Sequence, residues 1–215
     1  SENVIVNHLA ISPGVYFTQE GANEFHAQVR PEGGAWLEFI LDTKRERVMA
    51  HLDRKANIPA TTLLKAWGFT LPEILKEFEI NVEDLSPDAL EEYVGYRVSR
   101  PVKNGSMILK EGEELQPDAI KEIVKGKVKS LSLVHKYVQR SLEEDRASDQ
   151  KEALQIIYKR LRSTDRASIK TMQEYFEKLY QDREMYNLSN VGRFMMNKKL
   201  GTKYAEDETI LHQDE

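Results

Sequence analysis

The sequence predicts an α+β fold in which an N-terminal antiparallel β meander is followed by helical clusters. Short β-branched and aromatic runs dominate the first quarter of the chain, and the hydrophobic spacing becomes helical at Pro59. Strands do not alternate with helices along the sequence, as they would in a parallel α/β sheet. These three features together favour α+β.

Five runs have the composition of strands, and glycine, proline or asparagine turns separate them. The predicted strands are residues 4–6, 15–17, 25–29, 36–41 and 48–52. Alternation along the fourth run puts Trp36 and Glu38 on one face of the sheet and Leu37 and Phe39 on the other. Trp36 is therefore predicted on the polar face.

The rest of the chain has helical spacing with caps at its ends, apart from one interruption. Predicted helices cover 59–67, 70–78, 86–94, 135–144, 149–162, 168–180 and a final stretch that Asn187 or Ser189 caps and Gly201 ends. Residues 97–134 change to short apolar runs around a helix at 117–124. This interruption predicts a small mixed α/β inserted subdomain.

Composition excludes several classes of protein. The 215 residues include no cysteine, which removes disulfides, thiolate metal sites and cysteine nucleophiles. No apolar run is long enough to cross a membrane, and no signal peptide is visible. We therefore expect a cytoplasmic protein without membrane partners.

Charge is segregated along the chain. The net charge is −5, yet residues 155–204 contain eleven basic and five acidic residues. The acidic total argues against a free-standing nucleic-acid binder but permits a cationic face on a larger assembly. Residues 205–215 contain five acids and no lysine or arginine, which predicts a disordered acidic tail.

Motifs for catalysis and for metal binding are missing. There is no Asp-x-Asp run, and Gly126-Lys127 is followed by Val128 where a phosphate loop needs Ser or Thr. The five histidines have no close helical pairing. We predict no catalytic residue and no metal ligand.

The remaining candidates are an aromatic side chain and several cations. An exposed tryptophan can stack on an unpaired base, and cations can neutralise phosphates. The candidate nucleic-acid contacts are Trp36, Arg54, Lys55, Arg160, Arg162, Arg183 and Arg193. Each cation near a helix end also has a structural alternative, since it interacts favourably with the helix dipole.

Several segments, in order, resemble the lobe of the β subunit of bacterial DNA-directed RNA polymerase. They are residues 11–17 (ISPGVYF), 34–39 (GAWLEF), 52–55 (LDRK) with 58–64 (IPATTLL), 157–162 (IYKRLR) and 186–193 (YNLSNVGR). The resemblance covers about residues 4–200 and is weakest near 80–135. It assigns 1–96 and 135–204 to the lobe and 97–134 to a lineage-variable insertion.

The resemblance implies a fragment of a longer subunit, inactive alone, that forms a wall of the downstream DNA cleft. Trp36 matches a family tryptophan that stacks on a non-template base, and Arg162 matches an arginine on the cleft side. Expected partners are non-template DNA, the downstream duplex, other polymerase subunits, and sigma or other transcription factors. The magnesium of the whole enzyme is bound by another subunit, so no cofactor is expected here. The implied location is the bacterial nucleoid.

Three departures from the family pattern affect the expected contacts. Ile11 stands where the family commonly has an arginine of the non-template pocket, which leaves base-specific contact open. The basic run after Asp53 is reduced to Arg54 and Lys55, and Asn187 replaces an aspartate, so lower phosphate affinity is expected. A docking platform for transcription factors is the alternative function, while a stand-alone hydrolase lacks any convergent acid, base or nucleophile.

Overall fold

The computed structural model describes residues 11–163 and 166–215. The predicted strand at 4–6 lies outside the described residues. In the described part, a five-stranded antiparallel sheet precedes all eight helices, and two small two-stranded sheets follow it in the sequence. The predicted α+β class, with an N-terminal meander, is confirmed.

The large sheet is a meander, with each strand hydrogen-bonded to the next in sequence. Its strands are β1 (Gly14–Glu20), β2 (Glu24–Arg30), β3 (Leu37–Asp42), β4 (Arg47–Leu52) and β5 (Ala56–Pro59). The sequence reading missed β5, because this strand has only four residues and its last residue, Pro59, also precedes a helix. One face of the sheet, including Val29, Leu37 and Leu52, is buried.

The described residues form eight helices. These are α1 (Ala60–Ala66), α2 (Leu71–Glu77), α3 (Pro87–Glu91), α4 (Pro117–Lys125), α5 (Lys136–Glu144), α6 (Gln150–Arg162), α7 (Ile169–Tyr180) and α8 (Ser189–Leu200). Leu154 and Ile157 of α6 and Phe176 and Tyr180 of α7 share one core with the sheet. The helices thus cover the apolar face of the meander and leave its other face for polar residues.

Helix caps follow the sequence signals at most ends. Ser86 and Ser168 accept hydrogen bonds from the first turns of α3 and α7, and Gly201 ends α8 with a φ of 72°. At the start of α8, Asn187 Oδ1 accepts a hydrogen bond from the Ser189 N–H at 2.8 Å, and Ser189 Oγ accepts one from the Gly192 N–H at 3.3 Å. The N-cap position itself is Leu188, which has no side-chain cap, so Asn187 and Ser189 support this end of the helix from the positions on either side of the N-cap.

A second hydrophobic core is built around β6 (Glu79–Val82), β7 (Val102–Asn104), β8 (Ser106–Leu109) and β9 (Leu131–Val134). Strand β6 pairs with β9, and Val82 and Leu90 pack in the same core as Leu115 and Leu133. The packing unit therefore begins near residue 79. The predicted start at 97 is too late, because the paired strand β6 and the helix α3 precede it.

The C-terminal residues 205–215 are packed, so the prediction of a disordered tail is wrong. The Leu211 side chain is 3% exposed, and its N–H donates to the Tyr180 carbonyl at 2.9 Å. The acids of this segment pair with cations that the sequence reading assigned to nucleic acid: Glu208 with Arg183 and Glu215 with Arg193. No helix among the described residues has the length and apolarity needed to span a bilayer.

Candidate nucleic-acid interface

The turn that leads to Trp36 is held by the segment before α8. The Asn187 N–H donates to the Gly33 carbonyl at 2.8 Å, and the Asn187 carbonyl accepts from the Glu32 N–H at 2.8 Å. A Cβ on Gly34, whose φ is 117°, would lie 2.8 Å from Cδ2 of Tyr186. Only glycine fits this close approach. Two motifs that are about 150 residues apart in the sequence thus form one structural joint.

A second joint connects α8 to the start of β1. A Cβ on Gly192 would lie 3.1 Å from Cβ of Pro13, and a Cβ on Gly14 would lie 3.3 Å from Cβ of Met195. The two glycines allow the helix and the strand to pack with their backbones close together. This contact fixes the position of α8 beside the polar edge of the sheet.

Trp36 lies immediately before β3 and is half-buried. The Arg54 guanidinium carbon is 3.7 Å from the centroid of the indole, and that of Arg30 is 4.8 Å from it. The Trp36 carbonyl accepts hydrogen bonds from the Asp53 N–H at 2.8 Å and from the Tyr180 hydroxyl at 3.3 Å. Both cations lie within the range of a cation–π interaction, so the indole and its surroundings form an ordered aromatic and cationic surface.

This surface extends across β1 to α8. The Arg30 guanidinium is 5.1 Å from the Tyr16 ring centroid, and Lys199 Nζ is 5.0 Å from the same centroid. Lys199 Nζ also donates to the Val15 carbonyl. We call these five residues, Tyr16, Arg30, Trp36, Arg54 and Lys199, the Trp36 patch.

The cations of the Trp36 patch have no acidic partner among the described residues. No ion pair within 4.0 Å involves Arg30, Arg54 or Lys199 there. Arg30 instead donates from Nε to Gln28 Oε1 at 3.1 Å. Among the described residues, no carboxylate compensates this positive charge, which can attract an anion.

The turn between β4 and β5 presents Arg54 in an unusual conformation. Asp53 and Arg54 have φ values of 47° and 56°, in the left-handed region that side chains other than glycine rarely adopt. Lys55 Nζ lies 2.7 Å from Asp53 Oδ2, and this hydrogen bond raises the pKa of Lys55. Of the two predicted cations in this turn, Lys55 is paired with an acid and Arg54 stacks on Trp36.

The cations predicted on α6 are both exposed, at the end of the helix. Arg160 Nη1 donates to the Asn57 carbonyl at 3.3 Å, which brings it next to β5 and the turn that carries Arg54. The Arg162 guanidinium lies 5.5 Å from the Tyr175 ring centroid. The structure thus brings Arg160 towards the Arg54 turn and places Arg162 on an aromatic ring of α7.

Arg183 and Arg193 both pair with acidic residues of the C-terminal segment, but Arg183 is exposed and Arg193 is buried. Arg183 Nη2 lies 2.9 Å from Glu208 Oε2. Arg193 is 0% exposed, donates from Nε to the Glu208 carbonyl at 2.8 Å and also donates to the Ile210 carbonyl and the Glu215 carboxylate. The prediction of a nucleic-acid contact at Arg193 is wrong, because a buried guanidinium needs these partners and has no access to a ligand.

Sequence reasoning missed Tyr16, Arg30 and Lys199. The sequence does contain a signal for Tyr16 and Arg30, because strand alternation predicts which residues share a face of the sheet. With β1, β2 and β3 paired in register, both residues lie on the same polar face as Gln28 and Glu38. No local signal points to Lys199, whose position depends on the glycine contacts between α8 and β1.

Comparison with known proteins identifies the class as the large subunits of RNA polymerases. Residues 115–214 match the family model described as RNA polymerase Rpb2, domain 2. The β subunit of the DNA-directed RNA polymerase of Flavobacterium psychrophilum is 31% identical to the chain over 249 aligned residues, covering 100% of the chain and 19% of the relative. The corresponding subunits of Christiangramia forsetii and Salinibacter ruber are also 31% identical, over 98% and 100% of the chain.

The chain belongs to the family of bacterial DNA-directed RNA polymerase β subunits. It spans about a fifth of the length of the curated relatives that it matches. The resemblance found in the sequence motifs is confirmed.

Proposed function

We propose that this chain forms a wall of the downstream DNA cleft in a bacterial RNA polymerase and contacts the non-template strand through the Trp36 patch. The observation that supports this most is the stack of Arg54 on Trp36, next to cations without an acidic partner among the described residues. Proteins that bind single-stranded nucleic acid combine planar side chains for the bases with positive charge for the backbone. The Trp36 patch contains both elements on one surface.

In this proposal each group has a distinct role. An unpaired base extends the stack of planar groups at Trp36 and Arg54, since a guanidinium also stacks on aromatic faces. Lys199 and Arg30 neutralise phosphates, and Arg160 and Arg162 extend the positive surface along the end of α6. Lys55 contributes less, because Asp53 compensates its charge.

The chain itself is proposed to contribute no catalytic group to the nucleotidyltransferase reaction. The magnesium ion of the whole enzyme would be bound by another subunit, and other polymerase subunits and DNA are the proposed partners. The proposed place of action is the bacterial cytoplasm, at the nucleoid.

The test replaces Trp36 by alanine in the assembled polymerase and measures the lifetime of promoter open complexes. Base stacking on an aromatic side chain contributes about 1–3 kcal/mol per base, so we expect lifetimes shorter by about 5-fold to 150-fold. A photo-crosslinking residue at position 36 should label the non-template strand. The matched control is Lys76→Ala, which removes an exposed cation on α2 outside the Trp36 patch. Unchanged lifetimes together with no crosslink would refute the proposal.

The second candidate function, a docking platform for transcription factors, is favoured by a specific cleft. A polar cleft of about 870 Å³ separates the β3–β4 turn from α5 and the loop at Gly95 and Tyr96. Its walls carry both signs of charge, including Arg47 and Glu144, which pair with each other. Such a surface suits an extended polar segment of a partner.

The pairing of β6 with β9 defines how to test this second function. Val82 lies directly opposite Leu131, so residues 83–130 can be replaced by a two-residue Asn-Gly hairpin turn. Retained basal transcription with lost response to a factor, or with a lost effect of sigma, would support docking. Retained responses to all factors tested would contradict it.

A further inference from the structure

The polar face of the meander also carries a cluster of titratable side chains at the β1–β2 hairpin. Glu20 and Glu24 face each other as a cross-strand pair at the end of the hairpin, and His26 follows on the same face of β2. Glu38 of β3 and His51 of β4 lie beside His26 on that face and form a pair of directly opposite residues. Gln28 links the cluster to the Trp36 patch, since it donates to Glu38 and accepts from Arg30, but none of the cluster residues is assigned a role in the proposed contact with DNA.

His26 is the buried centre of this cluster, with 7% of its surface exposed. Its Nδ1 lies 2.9 Å from Glu38 Oε1, and a hydrogen bond there fixes the orientation of the ring. Its Nε2 has no hydrogen-bond partner among the described residues. Nε2 points between two carboxylates, with Glu20 Oε2 at 3.6 Å and Glu24 Oε2 at 3.7 Å.

This arrangement requires a positive species at Nε2. When Nδ1 donates its proton to Glu38, the neutral ring has a lone pair at Nε2 that faces two negatively charged groups. A buried nitrogen in this state is unsatisfied, and the two carboxylates repel each other. A cation bound between Nε2 and the two carboxylate oxygens satisfies the nitrogen and reduces the repulsion between the carboxylates.

We propose that His26 Nε2, Glu20 and Glu24 form a binding site for a divalent transition metal ion of the zinc class. The three ligand atoms lie within 4.8 Å of one another. Bond lengths of 2.0–2.1 Å in a tetrahedral zinc site separate neighbouring ligand atoms by about 3.3 Å, so each carboxylate oxygen needs to approach Nε2 by only a few tenths of an ångström. The two carboxylate oxygens, which lie within 4.8 Å of each other, need to approach by at most about 1.5 Å. Glu20 and Glu24 are 64% and 52% exposed, which leaves them free to make that movement.

The metal class follows from the ligand atoms and from the carboxylate that holds the other nitrogen of the histidine. Imidazole nitrogen together with carboxylate oxygen suits zinc and its neighbours, whereas magnesium and calcium prefer oxygen ligands alone. Glu38 holds the other ring nitrogen of His26, as carboxylates commonly do behind a metal-binding histidine. Water would fill the remaining coordination position of such a three-ligand site.

The experiment titrates the purified, untagged full chain with zinc chloride in a calorimeter and, separately, with magnesium chloride. We expect one zinc ion per chain and at least tenfold weaker binding of magnesium. Substitution of the metal by cobalt(II) should give the visible absorption of a four-coordinate ion. Glu38→Gln should weaken zinc binding by about 10-fold to 100-fold, as removal of an outer partner of a ligand does.

Two sets of variants separate loss of ligands from loss of structure. The double substitution Glu20→Gln with Glu24→Gln changes exposed side chains only, so it should abolish zinc binding while the circular dichroism spectrum of the folded chain stays unchanged. The control His135→Asn removes a histidine outside the cluster and should bind zinc normally. A proton rather than a metal is the occupant if zinc fails to bind the unaltered chain at pH 7.5, or if the double variant binds it unchanged. Either result overturns the proposal.

Discussion

Replacing Arg193 by methionine is expected to destabilise the chain strongly, because this substitution removes the charge and keeps the apolar stem. The Glu215 side chain, 1% exposed, would remain buried without its partner. The carbonyls of Glu208 and Ile210 would each lose a charged donor. Removing one partner of a buried ion pair typically costs about 3–5 kcal/mol. In a chain of 215 residues, each kcal/mol of lost stability lowers the melting temperature by about 2–4 °C, so we expect a fall of about 6–20 °C.

Thermal and urea unfolding of the purified chain, followed by circular dichroism, measures this effect. The matched control is Lys198→Met, which removes an exposed cation from the same helix and should change stability by less than about 0.5 kcal/mol. Adding Glu215→Gln to the Arg193 variant should recover part of the loss, since it removes the uncompensated charge. A fall of less than 2 °C for Arg193→Met would show that residues 205–215 do not pack on α8.

Two further substitutions test the joint at Trp36 and the start of α5. Gly34→Ala places a Cβ 2.8 Å from Tyr186 in a strained backbone conformation, so it should lower the free energy of unfolding by about 2–4 kcal/mol. The control Gly105→Ala also has a positive φ but has open space around the new Cβ, so it should lower that free energy by only about 1–2 kcal/mol. Equal losses for the two variants in urea unfolding would contradict the close contact at Gly34. Burial, aided by the adjacent Lys136, lowers the pKa of His135 below its usual 6.5. Since the unfolded chain then binds the proton at His135 more readily, the contribution of His135 to the free energy of unfolding should fall as pH drops below 6.5, whereas His26, whose pKa is raised, contributes in the opposite direction. His135→Asn should flatten that part of the stability-versus-pH profile, and an unchanged profile would contradict the assignment.

Local patterns were sufficient for most of the fold. Strands β1 to β4 and the face occupied by Trp36 follow from alternation and turn residues, both of which are encoded within a few residues. Strand β5 was missed because Pro59 is compatible with a strand end and with a helix start. The start of the second core was missed because β6 is identified only by its pairing with β9, about fifty residues later.

The functional assignment of cations depended on contacts that the sequence does not display. Arg54 and Arg193 were both candidate nucleic-acid contacts in the sequence, with Arg193 the weaker of the two, yet Arg54 lies over the Trp36 ring and Arg193 is buried. The partners of Arg193 lie 15 to 22 residues later, in a segment whose acidic composition indicated disorder. Composition describes the average solvation of a segment, whereas this segment is held by specific contacts, which include the buried Arg193–Glu215 ion pair and the buried side chain of Leu211.

The left-handed turn at Asp53 and Arg54 sets stability and binding against each other. Each residue in that conformation costs about 1–2 kcal/mol relative to glycine, so Arg54→Gly would relieve strain while it removes the guanidinium from Trp36. A directed-evolution screen that rewards heat resistance alone would favour glycine here and erode the DNA contact that we propose. Engineering of this chain should therefore select for open-complex lifetime and stability together.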